Sequence, residues 1–171
     1  HPYVSGLTIY VKRLAEALVK RNHQCTVLCM QHDARLNHRE LINGVSVVRA
    51  SPTARISKGF LSVSWLIHAW RLLRSHDVVI VNLPQLEGVV TALFGKLMGK
   101  NVIAIYHCEI LLSDTFIDQM IQSLVELSNM ATLLLSDTIV TYTDDFAKHS
   151  KLLRWVKKKI QTIYPPIVVP D

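Results

Sequence analysis

The sequence predicts an α/β protein: a Rossmann-like, doubly wound, mostly parallel sheet flanked by helices. Three observations lead there. Short uninterrupted apolar runs recur, among them Cys25-Thr26-Val27-Leu28-Cys29-Met30, residues 78–81 and Val102-Ile103-Ala104-Ile105. A strand without polar alternation is covered on both faces, as in a parallel sheet. Longer segments of helical spacing separate these runs, the alternation that winds such a sheet. Half of the 171 residues are hydrophobic and 19% are charged, a balance that gives one packed domain rather than a disordered chain.

The elements follow in order. Ser5-Gly6 opens an amphipathic helix, with Val11, Leu14, Ala15 and Leu18 on one side and Lys12, Arg13, Glu16 and Lys20 on the other. A glycine there lets backbone N–H groups approach an anion, and the helix N-terminus carries roughly half a positive charge to receive it. A strand at residues 25–30 and a polar loop at 31–39 come next. Asn43-Gly44 is a turn before a short strand at 45–48. Residues 60–74 have helical periodicity and include Trp65 and Trp70.

After a strand at 78–81, Leu83-Pro84 breaks the chain before a helix from about 86 to 98, stopped by Gly99. A buried strand at 101–106 ends at His107, and a long helical pattern covers about 115–135. Residues 138–142 read as strand. Thr143-Asp144-Asp145 starts a helix, with a capping hydroxyl and two first-turn carboxylates, running to about Trp155. A last strand at 160–163 is stopped by Tyr164-Pro165-Pro166. The reading gives a domain over 1–164 and the start of a linker over 165–171. It also expects a buried strand ahead of Pro2, feeding the Ser5-Gly6 turn.

Composition narrows the function. No apolar run approaches the ~20 residues that span a bilayer, and residues 1–20 lack the charged start and apolar block of a secretory leader. Cys25, Cys29 and Cys108 make no disulfide framework and read as reduced, small apolar residues, which fits a cytoplasmic protein. The eight histidines are scattered without metal-ligand spacing, so no metal site is expected. Nineteen basic and 13 acidic residues leave a net charge of +6. Five of the basic ones are Lys151, Arg154, Lys157, Lys158 and Lys159, either a solvated helix face or a surface for anionic lipid or phosphate. Nucleic acid is disfavoured, because no aromatic residues alternate with these charges.

Ligands of doubly wound sheets bind beyond the carboxyl ends of the strands. The residues expected there are Ser5-Gly6, residues 82–85, His107-Cys108-Glu109 and Tyr142-Thr143. His107 is the leading candidate, since a neutral imidazole both donates and accepts a hydrogen bond and Glu109 could influence its protonation. A structural histidine is the competing reading, as are a helix-capping Glu109 and a packing Tyr142.

Together the motifs resemble a known family. Pro2-Tyr3-Val4-Ser5-Gly6-Leu7-Thr8-Ile9-Tyr10-Val11-Lys12-Arg13-Leu14 resembles the opening loop and first helix of family 4 glycosyltransferases, retaining enzymes of the two-domain GT-B fold. KRNHQCTVL at 20–28, NLPQLEG at 82–88, IYHCEI at 105–110, VTYTDDFAKHS at 140–150 and KIQTIYPPI at 159–167 match further landmarks in order. Ser5 stands where many members have a glycine, and Tyr164 where a proline is common.

The resemblance implies the N-terminal, acceptor-side half of a GT-B enzyme. A further domain beyond Asp171 would then hold most contacts to a nucleotide-diphosphate sugar, and these 171 residues alone would be inactive. It implies transfer of the sugar to an acceptor hydroxyl, often lipid-linked, with no resident cofactor or metal. Ser5 and Gly6 would receive the donor phosphates, His107 would contact the donor sugar at its reacting face, and Glu109, Tyr142 and Lys148 would line the acceptor side. The basic segment 151–159 and the segment 55–74, with Phe60, Leu61, Trp65, Leu66 and Trp70, would place this half at the inner face of an anionic membrane, with a packed core helix as the competing reading. A sugar-nucleotide epimerase of the same fold and a non-catalytic α/β binding module are the alternatives.

Overall fold

The computed structural model describes residues 5–56 and 59–165, with the side chains of 54–61 excepted. The expected linker and the Pro2-Tyr3-Val4 part of the opening motif therefore fall largely outside the described residues. The chain divides into two compact units, one of residues 1–68 with 165–171 and one of residues 69–164.

In the first unit, helix α1 (Gly6–Lys20) begins at a reciprocal cap. The Thr8 N–H donates to Ser5 Oγ at 3.2 Å and the Ser5 N–H donates to Thr8 Oγ1 at 2.8 Å. Two otherwise orphaned donors are satisfied this way. Strand β1 (Thr26–Met30) pairs parallel with β3 (Val45–Ala50), and β2 (Arg39–Ile42) pairs antiparallel with β3. The Asn43-Gly44 turn joins the latter two with φ values of +50° and +81°, the left-handed pair that a two-residue hairpin needs.

Ala15, Val45 and Val47 form the unit's core with Val19, Val27 and Ile42 packed on it. Arg49 is almost wholly buried; its guanidinium donates to Glu40 Oε2 and to the Asn37 carbonyl, each at 2.7 Å. Short strands β4 (Ala54–Ile56) and β5 (Gly59–Leu61) pair antiparallel. Two expectations are corrected here. The supposed end of the polar loop at Arg39 is the first residue of β2, and Phe60-Leu61 is strand, so the helix α2 (Val63–Leu73) starts later than its periodicity suggested. Each lies where pairing with a neighbouring strand satisfies backbone groups that a short sequence window cannot see.

The second unit is the expected parallel sheet. Strands β6 (Val78–Leu83), β7 (Asn101–Tyr106), β8 (Thr138–Thr141) and β9 (Ile160–Thr162) lie side by side in sequence order, all parallel. The crossovers carry α3 (Gly88–Leu97), α4 (Phe116–Leu135) and α5 (Asp144–His149). Right-handed crossovers between adjacent strands set helices on one face, and α3 packs against α4 as well as on β6 and β7. Val81, Leu83, Ala104, Tyr106, Leu133, Ile139, Leu153 and Val156 make the core. Gly95 lets α3 lie close to the sheet, because a Cβ there would meet Val102 Cγ2 at 2.9 Å and Val79 Cγ1 at 3.0 Å.

Helix α5 is shorter than the pattern to Trp155 implied. Thr143 caps its start as expected, its Oγ1 accepting from the Phe146 N–H at 3.1 Å. The chain then turns at Ser150 into two 3-10 turns, Leu153–Trp155 and Lys157–Lys159. Leu153 and Val156 are drawn into the core there.

Candidate functional site

Parallel strands in sequence order bring the ends of β6, β7 and β8 to one edge, where the chain leaves each strand toward a helix. At this edge Asn82 on β6, His107 just past β7 and Tyr142 just past β8 form a hydrogen-bonded row. The His107 N–H donates to the Leu83 carbonyl at 3.0 Å, so the backbone ladder holds the residue even beyond its strand.

The His107 ring spans the row. Its Nε2 lies 2.9 Å from Asn82 Oδ1, and its Nδ1 is hydrogen-bonded to the Tyr142 hydroxyl. An amide oxygen accepts only, so Nε2 carries the proton and Nδ1 accepts from the phenol. The Tyr142 ring also meets the imidazole edge-on, with centroids 5.4 Å apart.

Burial pushes the His107 pKa down to about 4, since a low-dielectric setting penalises the imidazolium. Between about pH 6.5 and pH 4 the unfolded chain binds a proton that the folded unit refuses, so stability rises with pH through that window and is level above it. The effect is about 1–2 kcal/mol once screening of the part-exposed ring is allowed for. An NMR titration of the imidazole should place its midpoint near 4, and Tyr142→Phe, which keeps the ring buried, should leave it well below 6.5.

The other expected site residues fall differently. Glu109 is half-buried and its Oε1 accepts from the Lys151 N–H at 2.7 Å, tying the segment after β7 to the end of α5. Lys148 lies exposed in the last turn of α5. Ser5 and Gly6 belong to the first unit. The Ser5 hydroxyl serves the α1 cap, and a Cβ on Gly6 would have nothing within 4 Å, so packing does not demand a glycine there.

Lys159 is not part of a free basic face. Its Nζ donates to the Leu134 and Ser136 carbonyls at 2.7 and 2.8 Å, closing the C-terminus of α4. Arg154 stacks over the exposed Trp155 at 5.3 Å from the ring centroid.

Sequence reasoning put Asn82 at the right edge, after a strand it ended at 81, without giving it a role; the residue lies within β6. The available signal was an amide near the end of an otherwise apolar strand. It missed Asn129 altogether: this residue, 1% exposed, accepts at Oδ1 from the Gln85 N–H at 3.1 Å. Beside it Ser128 Oγ donates to the Leu86 carbonyl at 2.6 Å. Two neighbouring side chains of α4 thus hold the loop that follows Asn82. Glu87, at the end of that loop, keeps a buried carboxylate oxygen without a hydrogen-bond partner, and burial pushes its pKa up.

Among the described residues no three His, Cys, Asp or Glu side chains gather as a metal centre would require. No helix among them is long and apolar enough to cross a membrane. One surface groove of this unit, lined by Lys96, Gly99, Lys100, Asn101 and Asp137, excludes the histidine row.

A parallel sheet flanked by helices, with a polar row at its carboxyl edge, is an α/β unit of the Rossmann-like class. Residues 4–169 match the model of Glycosyltransferase Family 4. That span takes in nearly the whole chain, and the chain belongs to this family. No curated protein matches it.

Proposed function

We propose that the chain supplies the acceptor-side half of a retaining glycosyltransferase that moves a sugar from a nucleotide diphosphate to an acceptor hydroxyl, with a lipid-linked alcohol as the acceptor class. The single observation that carries the reading is His107, held neutral at the carboxyl edge of the sheet in a chain of Glycosyltransferase Family 4.

The chemistry asks two things of the protein. Negative charge growing on the departing diphosphate must be met by fixed dipoles or cations, and the sugar, turning oxocarbenium-like, must not meet a positive neighbour. A neutral His107 satisfies the second demand. The start of α1 suits the first, with no acidic residue in its first turn and open space around Gly6. A phenol that donates to His107 retains acceptor lone pairs, so Tyr142 can receive an acceptor hydroxyl. Glu109 and Lys148 would border that side. Exposed Trp155 with Lys151, Arg154, Lys157 and Lys158 supports docking on the anionic inner face of a membrane.

The test is an assay of the full-length protein against a panel of nucleotide sugars, reading nucleoside diphosphate release and the anomeric configuration of the product. His107→Ala should lower kcat/KM by about two orders of magnitude or more, the size expected for losing one placed polar group at the reacting centre. Undiminished turnover in that variant, or an inverted product, would overturn the assignment. Epimerised free sugar with no glycoside formed would point to the epimerase reading instead.

A further inference from the structure

Helix α4 buries its polar side and exposes its apolar one. Its buried residues are Ser128, Asn129, Thr132 and Leu133. Toward solvent stand Ile117, Met120, Leu124, Leu127 and Leu134, exposed by 55–68%, with half-buried Ala131 completing the series. Their positions step by three and four residues in strict alternation, a mean period of about 3.5. That is the a/d seam of a helix that packs on another helix. At about 1.5 Å per residue the seam is about 25 Å long, and Phe116, 77% exposed, extends its first turn.

We propose that this seam packs against α4 of a second copy of the chain, forming a two-fold dimer. The spacing reads the same in both directions. An antiparallel crossing therefore sets Ile117 against Leu134, Met120 against Ala131 and Leu124 against Leu127 of the second copy, each contact occurring twice about the axis.

The charges agree. The only charged residues of α4 are Asp118 and Glu126, and both fall outside the seam and the positions flanking it. Those flanks are Phe116, Ile121, Ser123, Ser128, Met130 and Leu135, so nothing repels an identical helix and no charge code selects a different one. A bilayer-binding helix would carry Lys or Arg along its polar border, and α4 has neither. The exposed area of six large side chains amounts to several hundred Å², approaching the roughly 800 Å² per partner of a standard interface.

Sedimentation equilibrium or light scattering of the 171-residue chain at tens of micromolar should give twice its 19.4 kDa mass. Leu124→Glu and Leu127→Glu should each return the mass to one chain with unchanged circular dichroism, weakening association at least a hundredfold. Mixing a Leu124→Glu copy with a Leu127→Lys copy should restore the dimer. Leu41→Glu, a change at a leucine 74% exposed on β2, should leave the dimer intact. A wild-type monomer at these concentrations would overturn the proposal, as would a dimer that survives both α4 variants or is lost in Leu41→Glu. A monomer that floats with vesicles until Leu124→Glu releases it would assign the seam to lipid instead.

Discussion

Leu133→Ala should destabilise the second unit by about 3–4 kcal/mol. The side chain is fully buried, and the substitution removes its contacts with a core of stiff strand residues, leaving a cavity that Val81, Ala104 and Ile139 cannot collapse to fill. The effect should be large because Leu133 is the one large apolar side chain fully buried on α4; the other buried residues of that helix are Ser128, Asn129 and Thr132. Leu97→Ala on α3, where the leucine is 71% exposed, should change stability by no more than about 0.5 kcal/mol. Urea unfolding with a shifted midpoint and an unchanged slope is the measurement. Equal effects of the two changes would contradict the packing of α4 described above.

Asn129→Leu is expected to cost about 2–3 kcal/mol and to loosen the edge that carries His107. The replacement is similar in size, so its effect is not a cavity. It strips the Gln85 N–H of its acceptor in a buried setting, and an orphaned buried donor costs its full desolvation. The Ser128 bond to Leu86 remains, so the loop is weakened rather than released. Amide exchange at residues 85–88 should quicken while exchange in β7 and β8 tracks only the global change. The imidazole titration near 4 should shift or broaden with it, since the same loop runs on from Asn82, the partner of Nε2. Uniform exchange across the unit would show that Asn129 serves overall stability alone.

The strands of the second unit were legible because burial on both faces leaves an uninterrupted apolar run. Residues 101–106 coincide with β7, and the end of β8 differs by one residue. Chemistry at element boundaries was legible too: Thr115 and Thr143 cap α4 and α5, and Asn43-Gly44 closes a hairpin. Strand β2 was not, because Arg39-Glu40-Leu41-Ile42 is mostly exposed and its reason for being a strand is β3 beside it. Helix α5 was read too long for a related reason. Its basic residues continue a helical pattern, but Leu153 and Val156 are pulled into the core and Lys159 onto the end of α4.

His107 and Tyr142 were both singled out on local grounds, one as the residue ending an apolar strand and the other as a phenol after the next. Nothing local joined them. Their contact, and that of Asn82 with the same ring, exists because three strands lie parallel and adjacent, bringing residues 25 and 35 positions apart onto one edge. The basic patch shows the reverse case, where a contiguous charge run loses Lys159 to a structural cap.

By itself the sequence determined the parallel α/β unit, which follows from hydrophobic periodicity and short-range turn and cap chemistry, while the family was legible only through the resemblance of its motifs. Only the tertiary structure decided how His107 is used: which nitrogen holds the proton, which partners fix it and how far burial suppresses its charge. It alone also decided which side of α4 faces out. Both depend on distances between residues far apart in the chain, and those are set when the sheet closes its register and the helices settle on it.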